Sequence, residues 1–152
     1  MKKLSAGLLM FRKRDELEVF LVHPGGPFWA RKDDGAWSIP KGEYEGGDDP
    51  LQAAFREFEE ETGLAPDPKG DLLALGEIRQ PGGKVVTAWA FEGDFDETSV
   101  RSNSFSIEWP RGSGRMREFP EIDRAGWFRI EDARKKILKG QLGFLDRLPR
   151  PI

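Results

Sequence analysis

The segment GEYEGGDDPLQAAFREFEEETGL, running from Gly42 to Leu64, decides the reading of the chain. It opens as a polar, glycine-rich loop and turns at Asp49 into a helix whose ends are written in the sequence. Asp49 is a natural N-cap, Pro50 suits the first helical position, and Gly63 suits the left-handed residue after the last turn. The spacing predicts a helix over Pro50–Thr62. Leu51, Ala54, Phe55, Phe58 and Thr62 recur every three or four residues and form one stripe, the candidate core face. Glu57, Glu60 and Glu61 follow the same spacings and gather three carboxylates on a neighbouring face.

Two readings of that acidic face are open. On an exposed helix, like charges at these spacings cost about 0.2–0.5 kcal/mol per pair, which a hydrated surface tolerates without a ligand. Alternatively, a hard divalent cation offsets the repulsion, because clustered carboxylate oxygens suit Mg²⁺, which keeps waters and substrate phosphates in its remaining positions. Gly42, Gly46 and Gly47 favour the second reading, since a backbone without Cβ approaches a ligand closely and offers a carbonyl oxygen to a metal. A phosphate ester or anhydride is the natural substrate of such a site.

The 152 residues have the size of one domain, 1–152, and about half are apolar once the 18 glycines are counted, enough for a globular core. With 24 Lys plus Arg against 27 Asp plus Glu, the formal charge is −3. That balance argues against nucleic acid or an anionic membrane as a general partner and leaves a polyanion to be met by a local site or a metal ion. The absence of Cys excludes a disulfide scaffold, a thiolate metal site and a cysteine nucleophile, and suits a reducing, cytoplasmic location. No run approaches the roughly 18 apolar residues of a membrane span. Met1 to Phe11 begins like a secretory leader, but Arg12 to Asp15 cut the apolar run short, so it reads as a first strand.

Working outward, Leu4 to Arg12 and Glu16 to His23 read as two strands around a charged turn, and Pro24 to Gly35 as an irregular loop carrying Phe28 and Trp29. Trp37 to Pro40 is short and extended, and Lys41 to Asp48 a polar loop. Leu72 to Arg79 and Val85 to Phe91 are further strands, expected to pair across the turn Gln80–Lys84. Between Glu92 and Pro120 the pattern weakens: Phe105 to Trp109 suggests a short strand, and Arg111 to Arg115 reads as mobile. Gly126 to Arg129 closes the sheet, and Ile130 to Lys139 with Leu142 to Leu148 give a helical ending.

The pattern of the central segment resembles the Nudix box. From Gly42, five residues lead to Asp48, seven more lead to Arg56-Glu57, and Phe58, Glu59, Glu60-Glu61, Thr62, Gly63 and Leu64 follow with every spacing in agreement. The one departure is Asp48, where the family pattern has Glu; the charge is kept and one methylene is lost. The lead-in Trp37-Ser38-Ile39-Pro40-Lys41 is similar to common Nudix sequences as well. The resemblance implies an α/β fold, an α/β/α sandwich around a mixed β-sheet, and a pyrophosphohydrolase in which water attacks phosphorus of a nucleoside diphosphate-linked substrate with Mg²⁺ or Mn²⁺. Carried over by position, Glu57, Glu60 and Glu61 are the implied metal ligands, with Glu57 also the base and Arg56 orienting a box carboxylate. In many family members an acidic residue outside the box, on a loop before the last strand, completes the set; Glu121 is the first candidate, Glu118 the second and Glu108 the third.

For substrate binding, Trp29 is divided between base stacking and packing, while Trp37 is expected in the core. Lys41, Lys84 and Arg115 are candidate phosphate contacts, together with Arg31, Lys32, Arg111 and Arg117. His23, the only histidine, is expected to be structural. A nucleotide-type small molecule is the expected partner, and the sequence does not speak to oligomeric state. Family resemblance further suggests that a downstream Tyr marks dinucleoside polyphosphate hydrolases and a Pro marks ADP-ribose hydrolases. Only Tyr44 is present, inside the box, and Pro81 is accounted for by its turn. The lay of the chain resembles the small dinucleoside polyphosphate type. The alternatives are an ADP-ribose or nucleotide-sugar pyrophosphatase, an RNA 5′-end hydrolase, and a nucleotide-sensing module without catalysis.

Overall fold

Alternation along the first two strands is apolar on both sides, so each must be covered on both faces. In the computed structural model, which describes residues 3–149, β1 (Leu4–Lys13) and β2 (Leu17–Pro24) lie at the centre of a mixed sheet. The other members are β3 (Lys41–Glu43), β4 (Leu73–Arg79), β5 (Val85–Glu92) and β8 (Ile122–Arg129). The order is β4-β5-β1-β2-β8, with β3 paired to β1. β1 runs parallel to β5 and antiparallel to β2, and β4 and β5 pair antiparallel as the sequence predicts.

The expected α/β/α sandwich is present. Helix α1 (Pro50–Thr62) covers one face, where Ala53, Ala54 and Phe58 pack on Leu8, Met10, Phe20, Val22 and Phe91. On the other face, α2 (Ile130–Lys136) and α3 (Leu142–Asp146) bring Ala133, Phe144 and Leu145 against Leu9, Phe11, Val19 and Leu21. Among the described residues no helix is long and apolar enough to cross a membrane.

The feature that positions the site is a split between β1 and β2. They pair directly only at Phe11–Lys13. Farther along, β3 takes the same edge of β1, with Ala6 opposite Gly42. Ser38 bridges Val22 on the opposite side, each backbone N–H donating to the other's carbonyl at 2.9 Å. The lead-in to the central segment is thus wedged into the sheet. Gly7 makes the wedge fit, because a Cβ there would stand 2.7 Å from both the Pro40 carbonyl oxygen and Lys41 Cβ.

Helix α1 has the bounds and caps its sequence predicts. Asp49 Oδ2 accepts the Gln52 N–H at 3.2 Å, and Gly63, at φ 73°, closes the last turn by donating to Glu59 O at 2.7 Å. The stripe is narrower than expected. Ala54, Phe58 and Thr62 are fully buried, but Leu51 and Phe55 are half-covered and border a surface depression with Leu72, while Ala53 joins the core.

Four expectations are corrected. Lys41 to Glu43 is a strand rather than loop, because the split in the sheet offers it an unpaired edge. The closing strand begins at Ile122, not Gly126, since it pairs with β2 along its whole length. The helix from Ile130 stops at Lys136: Ile137 is buried and bridges Trp37, and a 3₁₀ turn over Lys139–Gln141 leads into α3, which ends at Asp146. The segment read as mobile is an ordered hairpin of β6 (Ser104–Glu108) and β7 (Met116–Pro120), whose turn is held by the Glu108 carboxylate accepting the N–H groups of Gly112 at 2.8 Å and Gly114 at 3.1 Å.

Candidate active site

The wedge places Gly42 directly beneath α1. A Cβ on Gly42 would stand 1.8 Å from Glu57 Oε1, so the missing side chain is the space the carboxylate occupies. Arg56 donates from Nε to the other oxygen, Oε2, at 3.3 Å. One turn on, the nearly buried Glu61 carboxylate accepts the backbone N–H of Lys41 at 3.1 Å. Glu60 stays exposed between them. Burial, with the Glu60 charge next in size, raises the Glu57 carboxyl above its ordinary range. Burial also pushes Glu61 up to about 7; Lys41 opposes the shift, and the charges of Glu121 and Glu57 add to it. Three box carboxylates and Glu121 therefore share one acidic field that Arg56 and Lys41 offset only in part.

Glu61 and Glu121 line a cleft of about 190 Å³ with Trp29, Lys41, Ile122 and Leu138. Glu121 sits between β7 and β8, its N–H donating to the Asn103 carbonyl and its own carbonyl accepting from Gly25 N–H, both at 2.8 Å. Glu118 and Glu108 are elsewhere: Glu118 is exposed on β7, and Glu108 holds the hairpin turn. Lys41 is pushed down to about 8 by burial and by neighbouring Lys84, with Glu61 and Glu43 opposing. The structure thus brings Trp29, Lys41, Glu61 and Glu121 together at the cleft, with Lys84 beside Lys41 and the Gly42–Glu57 contact one helical turn away. Arg56 borders a separate depression around Tyr44, and Glu60 is exposed on the helix. The structure does not bring Arg115 to the cleft; that residue lies at the hairpin turn.

Trp37 is in the core as expected, its ring edge-on to Phe128 at 5.0 Å. His23 is fully buried and structural. Its Nε2 donates to the Lys32 carbonyl at 2.7 Å and its Nδ1 shares a 2.7 Å hydrogen bond with Asp123 Oδ1, tying the Trp29 loop to β8 next to Glu121. Gln141 is a residue the sequence reading missed. Fully buried, it accepts the Ile39 N–H at 3.0 Å and donates to Ser38 Oγ at 3.0 Å, fixing the lead-in from the opposite layer. Its only sequence signal is a polar residue among the apolar positions of a helical ending.

The Gly42 contact makes a separable prediction. Gly42 has no positive φ, so alanine fits the backbone, and the clash falls on the movable Glu57 side chain. Gly42→Ala is expected to cost under about 1 kcal/mol of stability, because a side chain and not the core gives way. Displacing Glu57 should still lower turnover by about tenfold or more. Paired urea unfolding and rate measurements check this; equal losses in both would show that Gly42 serves the fold alone.

A mixed-sheet sandwich with a carboxylate-bearing helix behind a glycine-rich strand defines the class. The chain belongs to the NUDIX domain family, whose sequence model matches residues 1–148. Among solved structures it is similar to an Ap4A hydrolase from C. elegans in a binary complex, 25% identical, with 94% of this chain and 92% of that chain covered and a TM-score of 0.62. It is also similar in fold to the NUDIX domain of Shewanella oneidensis NrtR complexed with ADP ribose, at 16% identity, 97% and 86% coverage and a TM-score of 0.64. An RNA pyrophosphohydrolase from Halorhodospira halophila is 40% identical over 57 residues, 37% of this chain and 30% of that protein. The matches span about a third of the length of such curated relatives.

Proposed function

We propose that the protein is a metal-dependent hydrolase that cleaves a phosphoanhydride bond in nucleoside diphosphate-linked substrates, dinucleoside polyphosphates in preference. One observation carries the reading: Glu57 and Glu61 are drawn largely out of solvent beside further carboxylates, and burial, with the neighbouring acidic charge added, makes both hold their protons more tightly than usual although Arg56 and Lys41 pull the other way. Among the described residues no three acidic or imidazole groups converge as a ready ligand set; Glu57 is turned to Arg56 and Glu61 to the Lys41 backbone. The donor chemistry nevertheless fits a hard cation, all oxygen and anionic. Glu57, Glu60, Glu61 and the Gly42 carbonyl would hold Mg²⁺ or Mn²⁺, which supplies a water of lowered pKa and neutralises phosphate charge.

The chain's own groups supply the rest. Glu57, with its carboxyl raised, is suited to take a proton from water. Arg56 keeps that carboxylate in place, and Lys41 and Lys84 meet phosphate oxygens. Trp29 packs in part against the core and carries the Lys32 ammonium 5.1 Å over its ring, and its remaining surface at the cleft is where a nucleoside would meet it. Glu121 completes the acidic set, supported by its place in the cleft opposite Glu61. The likeness over nearly the full length of the C. elegans Ap4A hydrolase supports the substrate preference.

The test is product analysis by mass spectrometry on dinucleoside polyphosphates, ADP-ribose, nucleotide sugars, nucleoside triphosphates and 5′-triphosphorylated RNA, in Mg²⁺, in Mn²⁺ and in chelator. Cleavage that needs the cation and is fastest on dinucleoside polyphosphates is the expected result; binding without cleavage would replace the enzyme by a sensor. In the same assay Glu121→Gln should lower turnover about tenfold or more, while Glu108→Gln should stay within about twofold, since its carboxylate serves a turn. The reverse order would move the acidic role to the hairpin.

A further inference from the structure

The cleft is too small for the substrate assigned to it. At about 190 Å³ it lies below the roughly 300 Å³ at which small-molecule pockets begin, so a molecule with two nucleosides must extend over a neighbouring surface. Two surfaces adjoin the box. One, around Tyr44, is an open depression of about 670 Å³ that carries Glu43, Glu45 and Asp48 against Lys3 and Arg56, and Arg56 is already bonded to Glu57. Room is present there, but the fixed charges are net acidic and disfavour a phosphate chain. The other is the β6–β7 hairpin, rooted at the site because Pro120 directly precedes Glu121 and the Phe105 ring fills the space over Gly26, where a Cβ would meet it at 2.8 Å.

The hairpin presents Arg111, Arg115 and Arg117, all exposed. Among the described residues none of them makes an ion pair, whereas Arg12, Arg14, Arg56, Arg124, Arg129 and Arg134 each pair with a carboxylate. Arg31 and Arg79 are likewise unpaired among the described residues but stand singly, and Arg101 and Arg147 donate to backbone carbonyls. Glu108, which sits within the same hairpin, is committed to the turn amides. In a chain of net charge −3, three guanidiniums without carboxylate partners on one ordered element form a local anion site. Register puts Arg117 opposite Ile107 and on the face of Phe105 and Phe119, its guanidinium 5.4 Å from the Phe119 ring. That face looks toward the Pro24–Gly35 loop, since Phe105 covers Gly26. Beside it Phe28, 48% exposed, stands edge-on to Trp109 at 5.5 Å. Cationic forks beside a half-open aromatic pair are the chemistry that receives phosphates followed by a base. At about 3.3 Å per extended residue, Arg117 is about 13 Å and Arg115 about 20 Å along the chain from Glu121, beyond the cleft rather than over the bond that breaks.

We propose that this hairpin is the subsite for the distal nucleotide of a dinucleoside polyphosphate, with Arg111, Arg115 and Arg117 on the phosphate oxygens and the Phe28–Trp109 pair against the second base. The inference rests on the substrate class proposed above and adds where its far half lies.

Binding to the full chain in Mg²⁺ is measured calorimetrically with two non-hydrolysable probes, a methylene-bridged dinucleoside tetraphosphate and a methylene-bridged nucleoside triphosphate. Arg115→Ala combined with Arg117→Ala should weaken the long probe about tenfold or more and the short one less than about twofold. Arg111→Ala and Phe28→Ala, each at an exposed side chain, should weaken the long probe severalfold. An equal change for both probes, or none for the long one, overturns the subsite. So does a hairpin dependence confined to 5′-triphosphorylated RNA. Hairpin-dependent binding without hydrolysis by the unaltered protein would leave the subsite standing and remove the proposed reaction. Hydrolysis that ignores the hairpin variants would do the opposite.

Discussion

Glu61→Gln is expected to lose turnover by about 10²-fold or more and, in the same protein, to remove most of an acid-to-neutral loss of stability. Burial pushes the folded-state carboxyl up to about 7, against an ordinary value of 4.5. Between those values the folded chain holds a proton that the unfolded chain has released, so stability falls as pH rises across that window and the loss is complete above about 7. A shift of this size corresponds to on the order of 1–3 kcal/mol. Glutamine keeps an oxygen for the Lys41 N–H and carries no charge, so most of that slope should disappear, leaving the part contributed by the raised Glu57 carboxyl. Lys41 titrates in the other direction. Its ammonium is pushed down to about 8 from 10.5, so the unfolded chain binds the extra proton there and stability recovers as pH rises toward 10.5 in both proteins. Urea midpoints in chelator at pH 5, 7 and 9, with steady-state rates in Mg²⁺, test the pair of effects. A variant that keeps the unaltered protein's slope, or its turnover, would show that Glu61 is neither the buried charge nor part of the machinery.

That coupling of cost to function also explains what could be read from the sequence. Helix α1 and its carboxylates were legible because every signal is local: an N-cap, a proline, a glycine and two sets of residues spaced by three and four. Gly42 was legible as a glycine near a ligand. Its contact with Glu57 was not, because it depends on β3 entering the split between β1 and β2, which pairs residues far apart in the chain. The three candidate acids Glu108, Glu118 and Glu121 lie within 14 residues of one another and differ only once the hairpin register is set. Glu108 then turns inward to the turn amides and Glu121 is left at the cleft. The glycines of that turn read as mobility because their partner is a side chain and not a strand. His23 offered no hint of Asp123, 100 positions away, and the early stop of α2 follows from Ile137 pairing with Trp37, a contact across layers.

Phe58→Ala is expected to cost about 3–5 kcal/mol, the range for removing a fully buried aromatic ring. Phe58 has no exposed surface and its ring meets those of Phe20 at 6.4 Å, Phe91 at 5.6 Å and Phe95 at 6.3 Å. Truncation therefore opens a cavity between the sheet and α1 that rigid neighbours on three sides cannot close. Against a typical total of about 5–15 kcal/mol, this is about a fifth of the stability at the least, and the melting temperature should fall by roughly 10 °C. Phe28→Ala, at a half-exposed ring, should change stability by less than about 1 kcal/mol. The Phe58 loss bears on the site because Glu57, Glu60 and Glu61 ride on the same helix, held to the sheet by Ala53, Ala54 and Phe58. Below its melting point Phe58→Ala should still lose activity, since a carboxylate set displaced by about 1 Å forfeits much of its geometric advantage. Thermal melts beside rates at 25 °C separate the outcomes. A variant fully active until it unfolds would place the rigidity of the site in the β1–β3 wedge rather than in the packing of α1.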